Sequence, residues 1–330
     1  MGLDMVVLPI FLLLVLSICG ACTISFGIGS NDETFAPAVG SGYLKLKFAL
    51  VLACALNIAG ILLLGDRVAE TLGKGIITKP LIMIEIISIV FAVGAWLTIA
   101  SYFKSPISTT QAMIGAIIGL GAIIGYSYVN WNAIALVFLG LAISPILGFV
   151  IAYLAYTALQ RAVLSKVKGL NDVEKREKLF AQMLLVAVMI TQFSRGANDI
   201  ANAIAPLIHA VQLTVLLIIG GIGASIGLLI LGRRVLVELG TSVVKLTPSS
   251  AFAAQIAAAL VMFLGTWFGL PLSGTAVLVA ALIGVGYAKK IKVNTRTVKG
   301  IAFAWGVTFP ASALFSIAIY LGFSFSSRFL

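Results

Sequence analysis

The chain has 330 residues, 61% hydrophobic and 10% charged, with a mean hydropathy of +1.15 and a net charge of +11. A soluble domain carries about 25% charged residues, so the composition excludes an ordinary water-soluble enzyme or binding module. On a soluble chain the positive charge would point to nucleic acid; here the basic residues fall in short loops between apolar segments and read as membrane-orientation signals, with no nucleic-acid partner.

Five apolar segments run through the first half, at about 5–28, 46–65, 81–103, 107–125 and 131–159. Several reach the roughly 20 residues that cross a bilayer. The first lacks the basic leader of a cleaved signal peptide and reads as a span. It ends on Gly29-Ser30-Asn31-Asp32, followed by Glu33. The cysteines Cys19, Cys22 and Cys54 lie in apolar sequence and read as packing residues. Glu85 stands near the start of its segment, at an interfacial position. The polar stretch 160–179, with six basic and three acidic residues, reads as a cytoplasmic connector. Apolar segments resume at about 180–194, 211–232, 251–269, 272–288 and 298–323.

The halves repeat. Gly29-Ser30-Asn31-Asp32 recurs as Gly196-Ala197-Asn198-Asp199, 167 positions on. Leu64-Gly65-Asp66-Arg67-Val68 matches Leu231-Gly232-Arg233-Arg234-Val235 at the same offset, and Pro106-Ile107-Ser108 matches Pro271-Leu272-Ser273 at offset 165. An odd number of crossings per half makes the halves inverted. With the connector inside, 17 of the 22 Lys and Arg residues fall inside, which places both termini outside. The expected fold is an all-α polytopic membrane protein. It has two inverted-topology repeats, 1–165 and 166–330, of about five membrane segments each, with broken or re-entrant helices, joined as one transport unit.

Asn-Asp pairs at membrane depth are costly and mark a substrate or ion path. Each is expected to interrupt its apolar run. A broken helix frees N–H groups that seat an anion and carbonyls that suit a hard cation such as sodium. Asn202 lies within a helical turn of Asn198 and Asp199. The clusters Ser108, Thr109, Thr110 and Ser273, Thr275 follow a proline at a helix start. They either donate to an oxyanion or cap their own helices. Arg195 could be an oxyanion fork, a solvent-facing residue or a partner for Glu33. His209 reads as a helix-end residue, and the four tryptophans as packing or interface residues.

These residues resemble the inorganic phosphate transporter (PiT) family over almost the whole chain. The strongest similarity is Gly196-Ala197-Asn198-Asp199-Ile200-Ala201-Asn202-Ala203-Ile204-Ala205-Pro206-Leu207; Pro106-Ile107-Ser108-Thr109-Thr110 and Trp305-Gly306-Val307-Thr308-Phe309-Pro310 are also similar. The resemblance implies alternating access, a possible homodimer, and symport driven by sodium or protons with no other cofactor. It puts Asn31, Asp32, Asn198, Asp199 and the Ser/Thr clusters at a central anion and cation site. Asp32, Glu33 and Asp199 are the cation-coupling candidates, with sodium at Asp32 or Asp199. The sequence departs from the family pattern at Glu33 to Pro37, at Gln111, at Arg195 and in Ser273-Gly274-Thr275. Some features resemble the family's sulfate permease branch. Phosphate at neutral pH carries a proton that a carboxylate can accept in a hydrogen bond, whereas sulfate carries none. Two aspartates therefore favour phosphate uptake across the cell membrane over sulfate. A cation exchanger would carry more acids, and an intramembrane aspartyl protease would need Gly-x-Gly-Asp, where position 31 is Asn.

Overall fold

The computed structural model describes residues 2–75, 78–79, 81–166, 169–204, 207, 211–268, 270 and 272–326. Regular structure in them is helical: α1 (Gly2–Ser30), α2 (Ala36–Gly40), α3 (Leu46–Gly75), α4 (Met83–Tyr102), α5 (Thr109–Ile124), α6 (Trp131–Ala162), α7 (Leu170–Ile204), α8 (Leu213–Gly227), α9 (Arg233–Ser242), α10 (Pro248–Trp267), α11 (Gly274–Ala288) and α12 (Thr295–Ser326). A π-helical turn, Leu228–Gly232, joins α8 to α9 without a break. Among the described residues, seven helices are long and apolar enough to cross a membrane. The chain is thus a multi-pass membrane protein.

The helices differ in what they face. Side chains such as Leu136 on α6 and Phe303 on α12 are exposed, and apolar residues like these meet lipid rather than water. The helices α4 and α10 are mostly buried. One apolar core gathers Ile24, Val93, Leu97, Ile114 and Leu120; another gathers Leu184, Val188, Met262, Leu278 and Leu282.

Helix contacts come in matched sets. The helix α1 packs on α4 and α8, and α7 packs on α10 and α3. Likewise α5 packs on α12, and α11 on α6. Glycine sets the closest approaches. A side chain at Gly29 would collide with the Ala224 backbone, and one at Gly196 with Asn57. One at Gly227 would strike the Phe26 carbonyl, and one at Gly60 the Phe193 carbonyl. Every residue in the second member of each comparison lies 167 positions from its counterpart in the first.

Two expectations need correction. The first Asn-Asp pair does end a helix, since α1 stops at Ser30. The second does not: α7 continues through Gly196, Asn198 and Asp199 to Ile204. An internal glycine costs a helix only about 1 kcal/mol, and Gly196 serves close packing on α3 instead of a break. The connector is also shorter than the polar stretch. The helix α6 runs to Ala162 and α7 starts at Leu170, so Asp172 to Lys178 form the opening turns of α7. An i,i+4 ion pair, Glu174–Lys178 at 2.7 Å, supports that polar helical end.

The first turns of α5 and α11 each bond the loop that leads into the other. The Thr110 hydroxyl donates to the Leu272 carbonyl at 3.0 Å, and the Thr275 hydroxyl donates to the Ile107 carbonyl at 3.2 Å. The two helix starts therefore share one depth. From there α5 and α11, of 16 and 15 residues, extend only about 22–24 Å at 1.5 Å per residue.

Candidate functional site

The first motif is built where α1 ends. Asn31 turns away from its own helix and clamps the loop before α5. Its Nδ2 donates to the Ser101 hydroxyl and the Ser105 carbonyl, each at 3.0 Å, and its Oδ1 accepts from Ile107 N at 2.9 Å. Asn198 treats the other loop similarly: its Nδ2 donates to the Leu270 carbonyl at 3.0 Å. Both asparagines therefore hold the loops that lead into α5 and α11.

Asp32 is 7% exposed. Its Oδ1 accepts from Thr34 N at 3.0 Å and from the Thr34 hydroxyl at 2.7 Å. Its Oδ2 accepts from Gln192 Nε2 and, at 3.4 Å, from Asn57 Nδ2. Neither Gln192, Asn57 nor Thr34 was singled out by sequence. For Gln192 and Asn57 the available signal was their polarity inside apolar runs; Thr34 lies between runs and carried no such signal.

Arg195 is the centre of the cluster, 5% exposed and not facing solvent. Its Nη1 lies 2.7 Å from Glu33 Oε1 and 3.6 Å from Asp32 Oδ1, and its Nη2 lies 3.0 Å from Asp199 Oδ2. Its Nε donates to Asp199 Oδ2 at 3.1 Å, and further donors reach the Thr34 and Thr275 hydroxyls. Glu33 is fully buried and Asp199 6% exposed. Three buried carboxylates thus share one guanidinium, for a local charge of −2 when all are ionised. Among the described residues, no group of three or more His, Cys, Asp or Glu side chains is arranged to hold a metal ion; these acids converge on Arg195.

The departure at Gly274 has a steric reason. A side chain there would overlap the Arg195 guanidinium. Position 274 corresponds to Thr109 at offset 165, so the second cluster gives up a hydroxyl to admit an arginine.

The Ser/Thr candidates divide. Ser108 and Ser273 cap α5 and α11, accepting from Gln111 N and Ala276 N. Thr110 and Thr275 cross between the loops, and Thr275 also meets Arg195. Thr109 is buried in the first turn of α5. The Asn202 side chain and His209 lie outside the described residues. Glu85 is buried at the start of α4: Lys79 pairs with it at 2.7 Å, and it accepts from Ile82 N. Trp305 donates to the Pro106 carbonyl and thereby braces the same loop as Asn31.

A buried, charged centre between paired helix starts in a helical membrane protein is the arrangement of a substrate or ion path, the mark of the solute-transporter class. Comparison with known proteins gives the family. The profile of the phosphate transporter family matches residues 29–316, and the chain belongs to that family. It is a transporter, not an enzyme. A Chlamydia pneumoniae protein named "Putative phosphate permease" is 30% identical, covering 95% of this chain and 98% of its own. A Pyrococcus furiosus protein of the same description is 29% identical, covering 97% and 98%. The Chlamydia alignment spans 420 positions against 330 residues, so that relative carries segments with no counterpart here. A solved structure described as "The sodium-dependent phosphate transporter" superposes with a TM-score of 0.84 at 25% identity, covering 95% of this chain and 99% of that one.

Proposed function

We propose that the chain is a cation-coupled symporter that takes up inorganic phosphate by alternating access. The observation that carries this reading is the buried set Asp32, Glu33 and Asp199 around Arg195, beside the first turn of α11. An anion added to a centre already at −2 is strongly disfavoured unless positive charge enters with it. Sodium or protons supply that charge; the sodium-dependent neighbour supports sodium as the coupling ion, with Asp32 and Asp199 its proposed ligands. Glu33 Oε2, Gln111 Oε1 and Gln192 Oε1 are buried and have no hydrogen-bond partner among the described residues. Such acceptors suit an anion that carries its own proton, which favours phosphate over sulfate. Asn31, Asn198, Asn202 and the hydroxyls of Ser108, Thr109, Thr110, Ser273 and Thr275 complete the proposed lining.

The matched helix contacts support two inverted repeats, 1–165 and 166–330. On this topology α4–α5 and α10–α11 are re-entrant hairpins whose tips meet at the midplane, both termini are outside and the connector is cytoplasmic. Substrate access alternates as the halves move about the tips. The test is uptake of labelled phosphate and labelled sulfate into proteoliposomes, with a sodium gradient, a pH gradient or neither. Phosphate should accumulate only with a gradient, and Asp32→Asn and Asp199→Asn should each abolish accumulation while still inserting in the membrane. Sulfate uptake indifferent to excess phosphate would overturn the substrate, and normal uptake in both variants would overturn the site.

A further inference from the structure

We propose that the cavity between the loop before α5, α9 and α12 is a second oxyanion seat, with Lys104 as its cation, where phosphate pauses between the central site and the cytoplasm. This rests on the phosphate-symport reading and its topology, and adds a binding site to them. The cavity has a volume of about 230 Å³. At about 30 Å³ per water, it holds several waters or one partly hydrated tetrahedral oxyanion. Lys104 and Ser105 line one wall, Glu238 and Ser242 of α9 a second, and Thr297 and Gly300 of α12 a third.

A single thickness of loop separates this cavity from the charged centre. Ser105 lines the cavity, and its carbonyl accepts from Asn31, the neighbour of Asp32. Asn31 also holds Ile107 N, two residues on. Releasing those bonds frees the loop, and the cavity is the space an anion meets beyond it. Thr297 and Gly300 belong to the first turns of α12, which follow the basic loop 289–296. That loop falls on the connector side of the proposed topology, and its charge raises the concentration of anions at the mouth.

The lining suits an oxyanion that carries a proton. Lys104 supplies three donors and Glu238 a carboxylate acceptor. Both line the same cavity, yet neither enters an ion pair among the described residues. The Ser242 hydroxyl is also without a partner among them. The backbone singles out Lys104. It follows α4 in the left-handed region, with φ 59°, and the next residue closes the helix end: Ser105 N donates to the Ala100 carbonyl at 2.9 Å. Such a position favours glycine. The same bond closes α10, from Leu270 N to the Gly265 carbonyl at 2.8 Å, and there the residue corresponding to Lys104 is Gly269. One copy keeps glycine; the other accepts a strained side chain and thereby sets a cation in the cavity wall.

The test is protection of an introduced cysteine by inorganic phosphate in the purified full chain. Gly300→Cys puts a thiol on the cavity wall, where an added side chain meets open space. Its modification by a methanethiosulfonate, read at that position by peptide mass spectrometry, should slow several-fold when phosphate is added. Lys104→Gly in the same background relieves the backbone, so it should melt no lower, and it should abolish the protection; Lys104→Arg should retain it. Asp32→Asn disables the central site and should leave the protection intact. A Gly300→Cys thiol that phosphate does not protect would overturn the proposal. So would protection that survives Lys104→Gly or is lost with Asp32→Asn. Wild type that moves no phosphate under any gradient would instead overturn the phosphate-symport reading itself.

Discussion

Replacing Arg195 with glutamine should damage the protein before any question of transport arises. The variant keeps a polar side chain but removes the one cation at 2.7 Å from Glu33, 3.0 Å from Asp199 and 3.6 Å from Asp32. The buried charge goes from −2 to −3. Removing one partner of a buried ion pair costs about 3–5 kcal/mol, because the remaining charge is left without compensation. At about 2–4 °C per kcal/mol for large domains, the midpoint of thermal unfolding in detergent should fall by about 6–20 °C. Adding Glu33→Gln to Arg195→Gln should restore part of the loss, because it removes the acid that depended most on the guanidinium. The assay is the melting of wild type, both single variants and the double variant, read as a double-mutant cycle. If Arg195→Gln melts with wild type, or if the two substitutions simply add, the guanidinium does not hold these carboxylates and the electrostatic account fails.

Other substitutions probe separate parts of the architecture. Gly274→Thr should expel Arg195 from its position and lower both melting temperature and phosphate uptake, as read by melting and uptake assays. Gly29→Val or Gly196→Val should prevent recovery of monodisperse protein by gel filtration, because the helix backbones leave no room; Gly306→Ala, with open space around it, should behave as wild type. Thr110→Val and Thr275→Val each remove a bond from the first turn of one short helix to the loop before the other, at about 1 kcal/mol apiece, visible in thermal melts. Glu177 caps α10 by accepting from Ser249 N at 2.8 Å and the Ser249 hydroxyl at 2.7 Å. Its replacement by Gln should cost about 1–2 kcal/mol of melting stability.

The sequence made the spans and the polar motifs legible because both are local signals. Twenty apolar residues need no partner to be recognised, and an Asn-Asp pair among them is conspicuous. The offset of 167 carried further, since the same offset relates Gly29 to Gly196 and Gly60 to Gly227 in their packing. Two matters were hidden because they depend on what lies opposite. Nothing in Gly196-Ala197-Asn198-Asp199 says whether its glycine breaks a helix or admits a neighbour, and it admits α3. The exchange of a threonine for Gly274 read as a weakened motif until Arg195 was found in the vacated space. Gln192 and Asn57 show the same limit: each is an isolated amide between apolar neighbours, and only the fold brings both to Asp32.

The Glu33–Arg195 ion pair has a bearing on how the two parts of the chain find each other. The position 167 before Arg195 is Ile28, and the position 167 after Glu33 is Ile200. The backbone contacts are near enough to reciprocal that two copies of either part could imitate them. The charges are not. Two copies of the first part would bring together two Glu33 residues with no guanidinium, and two copies of the second would bury two Arg195 residues without Glu33. The Glu33–Arg195 bond forms only between unlike parts, so it ties the end of α1 to α7 in a way that neither part reproduces with a copy of itself.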